Sequence, residues 1–333
     1  MAWNMTNKVV LLTGGMGYVG SVLTRLLLEQ GYNVRILEKF IFGLDSIKEI
    51  INHPDLEIVI GDIRDKEDLG KFFEVENIYA VIHLAGLVGD PACAININKT
   101  MEVNYIATLN LVRFCREKRI QRFIFASSCS VYGASNHEIL NEDSALNPIS
   151  LYSETKIDAE KNILSFSDPS FRPTILRFAT LYGDSYRMRF DLVINYLTGR
   201  LFHEGNGKIF GGDQWRPFIH VKDVARAIGF VLKKDIGEVG NQIFNVGSSD
   251  ENYMLKDLIP LFRELMPEAD IEILNTSMDN RSYRVSFEKF KNIGFNVEYN
   301  LKIGISEILN KLKKGKYEHY QAPKYLNYKA EEK

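Results

Sequence analysis

A glycine-rich turn near the start of the chain limits the possible folds most strongly. In the segment VVLLTGGMGYVGS, an apolar run at Lys8–Thr13 precedes the glycines and a helical pattern at Tyr18–Gln30 follows them. Because glycine has no Cβ, such a turn can bring backbone N–H groups and a helix N-terminus close to a pyrophosphate. The pattern therefore predicts a dinucleotide-binding turn. The residues predicted to form it are Gly14, Gly17, Tyr18, Val19 and Gly20.

The first half of the chain alternates short apolar runs with helical patterns. The predicted strands are Lys8–Thr13, Asn33–Glu38, Leu56–Ile60, Tyr79–Leu84, Gln121–Ala126, Pro173–Phe178 and Asn241–Val246. The predicted helices are Tyr18–Gln30, Lys66–Phe73, Thr100–Lys118 and Val221–Leu232. Such alternation produces βαβ units with helices on both faces of a parallel sheet. We therefore expect an α/β fold with a Rossmann doubly wound parallel sheet.

The second half is less regular and predicts a smaller, interleaved substrate domain. We assign residues 1–180 and about 216–250 to the cofactor-binding domain, and about 181–215 with 251–320 to the substrate-binding region. Segment 181–215 is expected to consist of loops and short elements. Residues 321–333 are charged and tyrosine-rich, and we expect a flexible tail there.

Composition excludes several classes of protein. A net charge of -2 over 333 residues provides no basic field for nucleic acid. No apolar window approaches the roughly 20 residues of a membrane span, and the N-terminus lacks the features of a signal peptide. Cys93, Cys115 and Cys129 form no CxxC pair, and the six histidines form no ligand cluster. We expect no metal site, no membrane contact and a cytoplasmic location.

The end of the second predicted strand suggests which dinucleotide binds. Glu38 lies about 20 residues beyond the glycines, where a carboxylate accepts hydrogen bonds from the adenosine ribose. Its charge would repel a 2′-phosphate, which favours NAD over NADP. Lys39 and Arg35 leave NADP open, because either could receive that phosphate. Asp62, after the third strand, is expected to hold the adenine amino group.

A Y-x-x-x-K pair supplies candidate acid–base chemistry. On a helix, Tyr152 and Lys156 would lie on one face. A free tyrosine has a pKa of about 10, but a neighbouring ammonium and a positive nicotinamide ring both favour the phenolate. Tyr152 could then remove a proton from a sugar hydroxyl, and Lys156 could hold the nicotinamide ribose. The pair follows FIFASSCSVYG, a strand that ends in hydroxyls at the edge where such sheets bind ligands.

Taken together, these motifs resemble the extended short-chain dehydrogenase/reductases, specifically the NAD-dependent nucleotide-sugar epimerase/dehydratase family. The resemblance covers nearly the whole chain. Besides the glycine turn and Glu38, it rests on GDIRD, VIHLAG, VNYIATLNL, FIFASSCSVYG, YSETK, LRFATLYG and RPFIHVKDVARA.

The resemblance implies NAD as the cofactor and a nucleotide-diphosphate sugar as the substrate. It also implies a homodimer that pairs through the helices at Thr100–Lys118 and Tyr152–Leu164. The implied catalytic residues are Ser128, Tyr152 and Lys156. Further cofactor contacts are implied for Ile63, Leu84, Ala85, Gly86, Asn104, Lys156 and Phe178. Substrate contacts are implied for Ser128, Ser130, Arg189, Arg216 and Arg281.

Two departures from the family pattern narrow the reaction. The 4,6-dehydratases carry an Asp-Glu pair directly after the catalytic hydroxyl residue, where this chain has Cys129 and Ser130. Elimination of water needs an additional acid and base, so dehydration is disfavoured. Cys129 is either a proton donor or a small buried core residue. Arg187 and Arg189 are unlike the galactose epimerases and suggest recognition of a phosphate, a carboxylate or a modified sugar.

Three functions remain open from the sequence. The first is a nucleotide-sugar 4-epimerase that passes through a 4-keto intermediate, with Tyr152 as general base and acid. The second is a C4 dehydrogenase or ketoreductase with net turnover of NAD(H). The third is an NAD-sensing regulator without catalysis, against which the intact Ser128, Tyr152 and Lys156 argue. Neither the sugar nor its nucleotide can be read from the sequence.

Overall fold

Strands and helices alternate through most of the chain in the computed structural model, which describes residues 8–274 and 281–327. The strands are β1 (Val9–Thr13), β2 (Asn33–Glu38), β3 (Leu56–Ile60), β4 (Ile78–His83), β5 (Arg122–Ser128), β6 (Ala134–Leu140), β7 (Arg172–Phe178), β8 (Thr180–Tyr182), β9 (Asn206–Phe210), β10 (Trp215–His220), β11 (Gln242–Val246), β12 (Asn252–Met254), β13 (Asp270–Leu274) and β14 (Ser282–Val285). The helices are α1 (Gly20–Glu29), α2 (Lys66–Phe72), α3 (Asp90–Ile95), α4 (Ile97–Met101), α5 (Ala107–Glu117), α6 (Leu151–Ser165), α7 (Val193–Glu204), α8 (Val221–Lys233), α9 (Ile236–Val239), α10 (Leu258–Leu265), α11 (Glu288–Asn292) and α12 (Leu301–Lys313).

The main sheet has seven parallel strands in the order β3-β2-β1-β4-β5-β7-β11. Strands β2 and β3 lie on one side of β1, and the remaining strands extend from the other side. A crevice therefore opens at the carboxyl ends of β1 and β4, where the direction of winding reverses. This topology confirms the predicted Rossmann doubly wound α/β fold.

Both faces of the main sheet are covered, as the uninterrupted apolar sequence of β1 requires. Val10 and Leu12 pack in the cluster that contains residues of α1 and α8. Val9 and Leu11, which alternate with them, pack in the cluster formed with α2, α5 and α6. Successive side chains of a strand point to opposite faces, so a strand covered by helices on both sides must be apolar throughout.

The second half forms smaller sheets and a separate apolar core. Strands β8, β10 and β12 form one sheet, and β9 pairs with β13. Helix α7 occupies twelve residues of the segment 181–215, in which only loops and short elements were expected. Its buried Ile194, Leu197 and Leu201 pack against α10 and α12, and their helical spacing was a usable signal. Strand β10, where the sequence predicted no strand, joins β8 and β12 rather than the main sheet.

The end of the described chain is packed rather than flexible. Residues 321–327 were assigned to a mobile tail, but Tyr325 and Leu326 are buried. The ring of Tyr325 meets that of Phe190 edge-on at 5.4 Å between centroids, and the Phe190 N–H donates to the Tyr325 carbonyl at 3.1 Å. Burial of the aromatic ring outweighs the polar composition of this segment. The remaining tail residues, 328–333, lie outside the described residues.

Two further features of the described residues concern the cysteines and the length and polarity of the helices. All three cysteines are free and buried. Within residues 8–274 and 281–327, no helix combines the length and the apolar character that a membrane crossing requires.

Candidate active site

The glycine turn between β1 and α1 is tightly packed against the neighbouring strand. A Cβ on Gly14, whose φ is +72°, would lie 2.8 Å from the backbone nitrogen of Ala85. A Cβ on Gly20 would lie 2.1 Å from the carbonyl oxygen of Gly14. No side chain caps the N-terminus of α1, whereas the N–H groups of Ser21 and Val22 donate to the carbonyls of Gly17 and Val19 within the turn. The turn thus has the close backbone approach that a pyrophosphate requires.

A single cavity extends from this turn along the carboxyl ends of the main strands. It brings together most of the residues that the sequence predicted for cofactor, catalysis and substrate. These are Gly14, Gly17, Tyr18, Val19, Gly20, Glu38, Asp62, Ile63, Leu84, Ala85, Gly86, Ser128, Tyr152, Lys156, Phe178 and Arg189. Four predicted residues lie outside its lining, namely Asn104, Ser130, Arg216 and Arg281.

One end of the cavity has the features of an adenosine site. Glu38 accepts hydrogen bonds from the backbone N–H groups of Met16 and Lys39 at 3.3 and 3.1 Å. Burial raises the pKa of its carboxyl group, and these backbone bonds partly offset the effect. Burial also opposes ionisation of Asp62, but hydrogen bonds from Arg64 and Lys39 outweigh it and lower the pKa.

The two cations that left NADP open have other partners in the structure. Lys39 Nζ lies 2.8 Å from Asp62 Oδ2. The guanidinium of Arg35 donates to the carbonyl oxygens of Glu74 and Lys71 at 3.0 and 2.8 Å. Neither cation is therefore available to a 2′-phosphate without losing these contacts, which favours NAD.

The opposite end of the cavity contains the Y-x-x-x-K pair, as the sequence predicted. Helix α6 begins in a capping box between Ser150 and Ser153, which places Tyr152 in its first turn. Lys156 Nζ lies 5.8 Å from the centre of the Tyr152 ring. Ser128, at the end of β5, lines the cavity together with Tyr152, and its hydroxyl acts to lower the pKa of Tyr152. One hydroxyl, one phenol and one amine therefore converge at the carboxyl edge of the sheet.

Burial dominates the ionisation of this group. Burial, followed by the nearby Cys93, raises the pKa of Tyr152, whereas the charge of Arg189 and the Ser128 hydroxyl act to lower it. Burial lowers the pKa of Lys156 to about 8. Tyr152 is thus a phenol at neutral pH in this structure, and its use as a base depends on nearby positive charge.

Asn104 acts from behind the cavity rather than within it. It lies in a π-helical turn, Glu102–Ile106, between α4 and α5. Its side chain accepts from the Leu87 N–H at 2.8 Å and donates to the Leu87 carbonyl at 3.0 Å. A Cβ on Gly86 would lie 3.1 Å from Asn104 Oδ1. Asn104 therefore holds the loop after β4, and that loop lines the cavity.

The residues after Ser128 turn away from the cavity in a 3-10 turn, Cys129–Tyr132. Cys129 is fully buried, and its thiol donates to the Arg177 carbonyl at 3.3 Å. Burial raises the pKa of this thiol, which makes it a poor proton donor. Of the two possibilities that the sequence left open, the packing supports a core cysteine. Ser130 is also buried, and its Oγ lacks a partner among the described residues.

The two arginines expected to grip the substrate lie beside each other outside the cavity lining. The guanidinium of Arg216 donates to the backbone carbonyl of Arg281. Arg281 Nη1 lies 3.2 Å from Asp90 Oδ2, at the start of α3. A phosphate group that approached Arg281 would therefore compete with a carboxylate.

Sequence reasoning missed several cavity residues. Phe40, Phe42 and Gly43 follow β2, and Asn327 comes from the end of the described chain. Arg187, which the sequence had suggested together with Arg189 for recognition of a phosphate, a carboxylate or a modified sugar, was not missed and also lines the cavity. The glycine and the aromatic residues just after Glu38 were a readable signal for the loop, whereas nothing local indicated Asn327.

Known proteins match the chain over nearly its whole length. The model of the NAD dependent epimerase/dehydratase family matches residues 10–247. A putative UDP-glucose 4-epimerase from Methanocaldococcus jannaschii is 29% identical, with 92% of this chain and 98% of that protein covered. The dTDP-D-glucose 4,6-dehydratase of Bos taurus is also 29% identical, with 91% and 88% covered. The solved structure of MoeE5 in complex with UDP-glucuronic acid and NAD has a TM-score of 0.78 at 27% identity, with 92% and 99% covered.

The chain belongs to the NAD-dependent epimerase/dehydratase family, and it is an enzyme of the nucleotide-sugar type. This confirms the resemblance and the predicted cofactor, NAD. The site fits that cofactor, because the glycines of the turn present backbone rather than side chains to the cavity and Glu38 lines the same cavity. The matches include both epimerases and dehydratases, so the family alone does not specify the reaction.

Proposed function

We propose that this enzyme is an NAD-dependent nucleotide-sugar 4-epimerase that acts through a transient 4-keto sugar. The observation that carries the proposal is the set of groups at the catalytic end of the cavity. Its described acidic lining residues, Glu38 and Asp62, belong to the adenosine end. Elimination of water would need a second acid and base beside Tyr152. The lining contains a phenol, a hydroxyl and an amine there, which suffice to move one proton.

The proposed reaction uses Tyr152 twice. Tyr152 accepts the proton of the C4 hydroxyl as the C4–H bond breaks, and it later returns a proton to the same oxygen. Ser128 holds that oxygen by a hydrogen bond. Lys156 favours the phenolate through its positive charge. Bound NAD⁺ would accept the hydride from C4, return it to the opposite face after the sugar rotates, and add positive charge beside Tyr152.

The position of Lys156 supports this assignment. Its Nζ donates to the Ala126 carbonyl at 2.8 Å and lies 4.6 Å from the centre of the Phe125 ring. An ammonium held between a carbonyl and an aromatic face is fixed in place, so its field at Tyr152 is steady. Because burial lowers its pKa to about 8, Lys156 remains mostly protonated at neutral pH.

The packing of Cys129 and Ser130 argues against a dehydratase. These residues occupy the places of the dehydratase Asp-Glu pair. The Cys129 thiol bonds to a backbone carbonyl in the core, and Ser130 lies outside the cavity lining. Neither group is therefore placed to transfer a proton to or from C5 or C6 of a sugar. The relatives named as dehydratases share the fold and cofactor with this chain, and we propose that they differ at these positions.

We propose a nucleotide-diphosphate sugar as the substrate, with its phosphates near Arg216 and Arg281 and its sugar near Arg189. Arg189 is fixed by two hydrogen bonds to Asp191, at 3.0 and 2.7 Å. It also contributes to the charge at Tyr152. A guanidinium that lines the same cavity as Tyr152 suits a sugar with an electron-rich substituent.

We also propose that the enzyme is a homodimer in the cytoplasm. Helices α5 and α6 pack side by side along one face of the main sheet and are expected to pair with the same helices of a second copy. The exposed Ile106, which directly precedes α5, supports an apolar contact there. A monomeric mass in multi-angle light scattering would contradict the dimer. The free, buried thiols suit a reducing compartment.

The test of the proposed function is incubation of the purified enzyme with UDP- and dTDP-linked hexoses and NAD. We expect one sugar to give its C4 epimer, by chromatography, with no net rise in NADH absorbance. One NADH per product would instead identify a C4 dehydrogenase. Loss of one water from the sugar mass would identify a dehydratase. The variant Tyr152→Phe is the control for any background reaction.

A further inference from the structure

Arg187 is a buried cation in the cofactor cavity that neither the catalytic scheme nor the substrate proposal uses. It lies between β8 and α7, it is 6% exposed, and it lines the cavity together with the glycine turn. Its guanidinium carbon lies 3.5 Å from the centre of the Phe42 ring. Within the described residues, its Nε and Nη2 atoms are buried and have no hydrogen-bond partner.

Burying a guanidinium without hydrogen-bond partners costs free energy, and a bound anion would offset that cost. We therefore expect Arg187 to face an anionic group of a ligand. The acidic groups around it have other partners. Asp191 is held by Arg189 through two hydrogen bonds, and Glu38 accepts bonds from two backbone N–H groups. Burial, followed by the charge of Arg189, lowers the pKa of Arg187 to about 9, so it remains charged at neutral pH.

The end of the described chain closes the same side of the cavity. The Asn327 N–H donates to Asp191 Oδ2 at 3.4 Å, and the Tyr325 carbonyl accepts from Phe190 at 3.1 Å. These bonds tie the end of the chain to the segment that carries Arg187. Asn327 also lines the cavity, and its buried Oδ1 has no partner among residues 8–274 and 281–327. This side of the cavity therefore presents unsatisfied donors and an unsatisfied acceptor together.

The position of Arg187 along the cavity indicates which anion it meets. Its guanidinium stacks on Phe42, in the loop that follows Glu38 at the adenosine end. Arg189, two residues further along the chain, lines the cavity together with Tyr152 at the catalytic end. Arg187 thus lies between the two ends, and the glycine turn lines the same stretch of cavity. In a dinucleotide, the pyrophosphate lies between the two ribose units, over this turn.

We propose that Arg187 binds the pyrophosphate of NAD from the side opposite the glycine turn. Its two free N–H donors form the forked, charge-assisted hydrogen bonds that a guanidinium makes with phosphate oxygens. Stacking on Phe42 fixes the plane of the fork. The pyrophosphate is then held between the backbone N–H groups of the turn and a buried cation, which favours a cofactor that stays bound between turnovers. The inference concerns the cofactor alone and is independent of the sugar and of the reaction.

The test compares ligands with and without the pyrophosphate by calorimetric titration of the full chain. For Arg187→Gln, we expect affinity for NAD and for ADP-ribose to fall about 10- to 100-fold, because two charge-assisted bonds are lost. We expect affinity for adenosine to stay within about twofold, since adenosine carries no phosphate. Arg187→Lys keeps the charge but cannot form two parallel hydrogen bonds. Its affinity for NAD and for ADP-ribose should therefore lie between that of the natural protein and that of Arg187→Gln. The control Arg263→Gln changes an exposed arginine on α10 and should leave all three affinities unchanged.

A second measurement separates binding from folding. The melting temperature of Arg187→Gln without NAD should not fall, because the change removes an unpaired buried charge, whereas the rise caused by NAD should shrink. Unchanged NAD affinity, or an equal loss for adenosine, would overturn the proposal. So would weaker binding of the nucleotide sugar alone, which would assign Arg187 to the substrate. A lower melting temperature with an unchanged NAD-induced rise would show a purely structural role.

Discussion

Lys156 Nζ donates a hydrogen bond to the carbonyl oxygen of Ala126 at 2.8 Å, and this contact ties helix α6 to strand β5. Tyr152 lies one helical turn before Lys156, and Ser128 lies two residues beyond Ala126. This hydrogen bond therefore contributes to the register between the phenol and the hydroxyl that we propose to act on the sugar. The catalytic geometry thus depends on how α6 is held against the sheet.

Replacement of Tyr152 by phenylalanine tests its proposed role in proton transfer. We expect kcat for epimerisation to fall about 10²- to 10⁴-fold, the usual contribution of a positioned acid–base group. The aromatic ring is retained, so NAD affinity should change little. Measurement of kcat and of the NAD dissociation constant for Tyr152→Phe and for the natural protein tests both expectations. Equal loss of both would show that Tyr152 supports the cavity rather than the reaction.

A buried ion pair anchors α6 from its other end. Arg177 Nη2, on β7, lies 2.6 Å from Glu160 Oε2, and both side chains are 3% exposed. Ser127 also donates to Glu160. Breaking such a pair leaves a buried charge, so Glu160→Gln should lower the free energy of unfolding by about 3–5 kcal/mol in urea titration. The control Glu67→Gln breaks an exposed pair with Lys71 and should change it very little. An equal loss of stability in Glu160→Gln and Glu67→Gln would contradict the proposed contribution of the buried pair.

Gly20 and Gly70 form a matched pair for testing the glycine turn. A Cβ on Gly20 would lie 2.1 Å from a backbone oxygen, whereas a Cβ on Gly70, within α2, would meet nothing within 4 Å. We expect Gly20→Ala to weaken NAD binding about tenfold or more, because the turn must shift. Gly70→Ala should instead raise the free energy of unfolding by roughly 0.5–1 kcal/mol through helix propensity. Retained NAD affinity in Gly20→Ala would refute the tight turn.

The buried carboxyl group of Glu251 predicts a pH dependence of stability. Burial raises its pKa from 4.5 to about 7, while the Leu301 N–H donates to it at 3.1 Å. Between these values the folded state binds more protons than the unfolded state, so this group's contribution to stability falls as pH rises from about 4.5 to 7.

The substitution Glu251→Gln should remove that dependence. The variant keeps an acceptor for Leu301 and should be more stable than the natural protein at pH 8 by roughly 1–3 kcal/mol, with little difference at pH 4.5. Chemical unfolding of both proteins at pH 4.5 and pH 8 measures this difference in the free energy of unfolding. Glu268→Gln, an exposed control, should show no such difference between pH values. A gain that is the same at both pH values would contradict the burial effect.

The sequence predicted the main sheet well, because its signals are local. Strand β1, which is buried on both faces, is a short apolar run, and Gly14 to Gly20 follow it with fixed spacing. Helix α7 was missed although Ile194, Leu197 and Leu201 repeat at helical spacing, because Gly, Tyr and Arg dominate the segment around it. Helix α7 packs against α10 and α12, which are distant from it in sequence, and local patterns do not reveal such contacts.

The residues of the candidate site also fall into two groups, namely those that local motifs predict and those that depend on packing between distant segments. Glu38, Ser128 and Tyr152 were predicted from motifs next to strand ends, where the sheet itself places them in the cavity. Asn327 reaches the cavity only because the aromatic packing of Tyr325 folds the end of the chain back. The burial of Cys129 in the core also depends on how the 3-10 turn after Ser128 is directed, and the spacing of residues does not reveal that.

The fate of hydrogen at C4 tests the proposed epimerase most directly. The enzyme would be supplied with a nucleotide sugar that carries deuterium at C4 and with an amount of NAD far below that of the sugar, and the products would be read by NMR and mass spectrometry. We predict a C4 epimer that retains its deuterium at C4, because the same hydride leaves and returns. A 4-keto or dehydrated product, or deuterium recovered in NADH in proportion to product, would contradict the account.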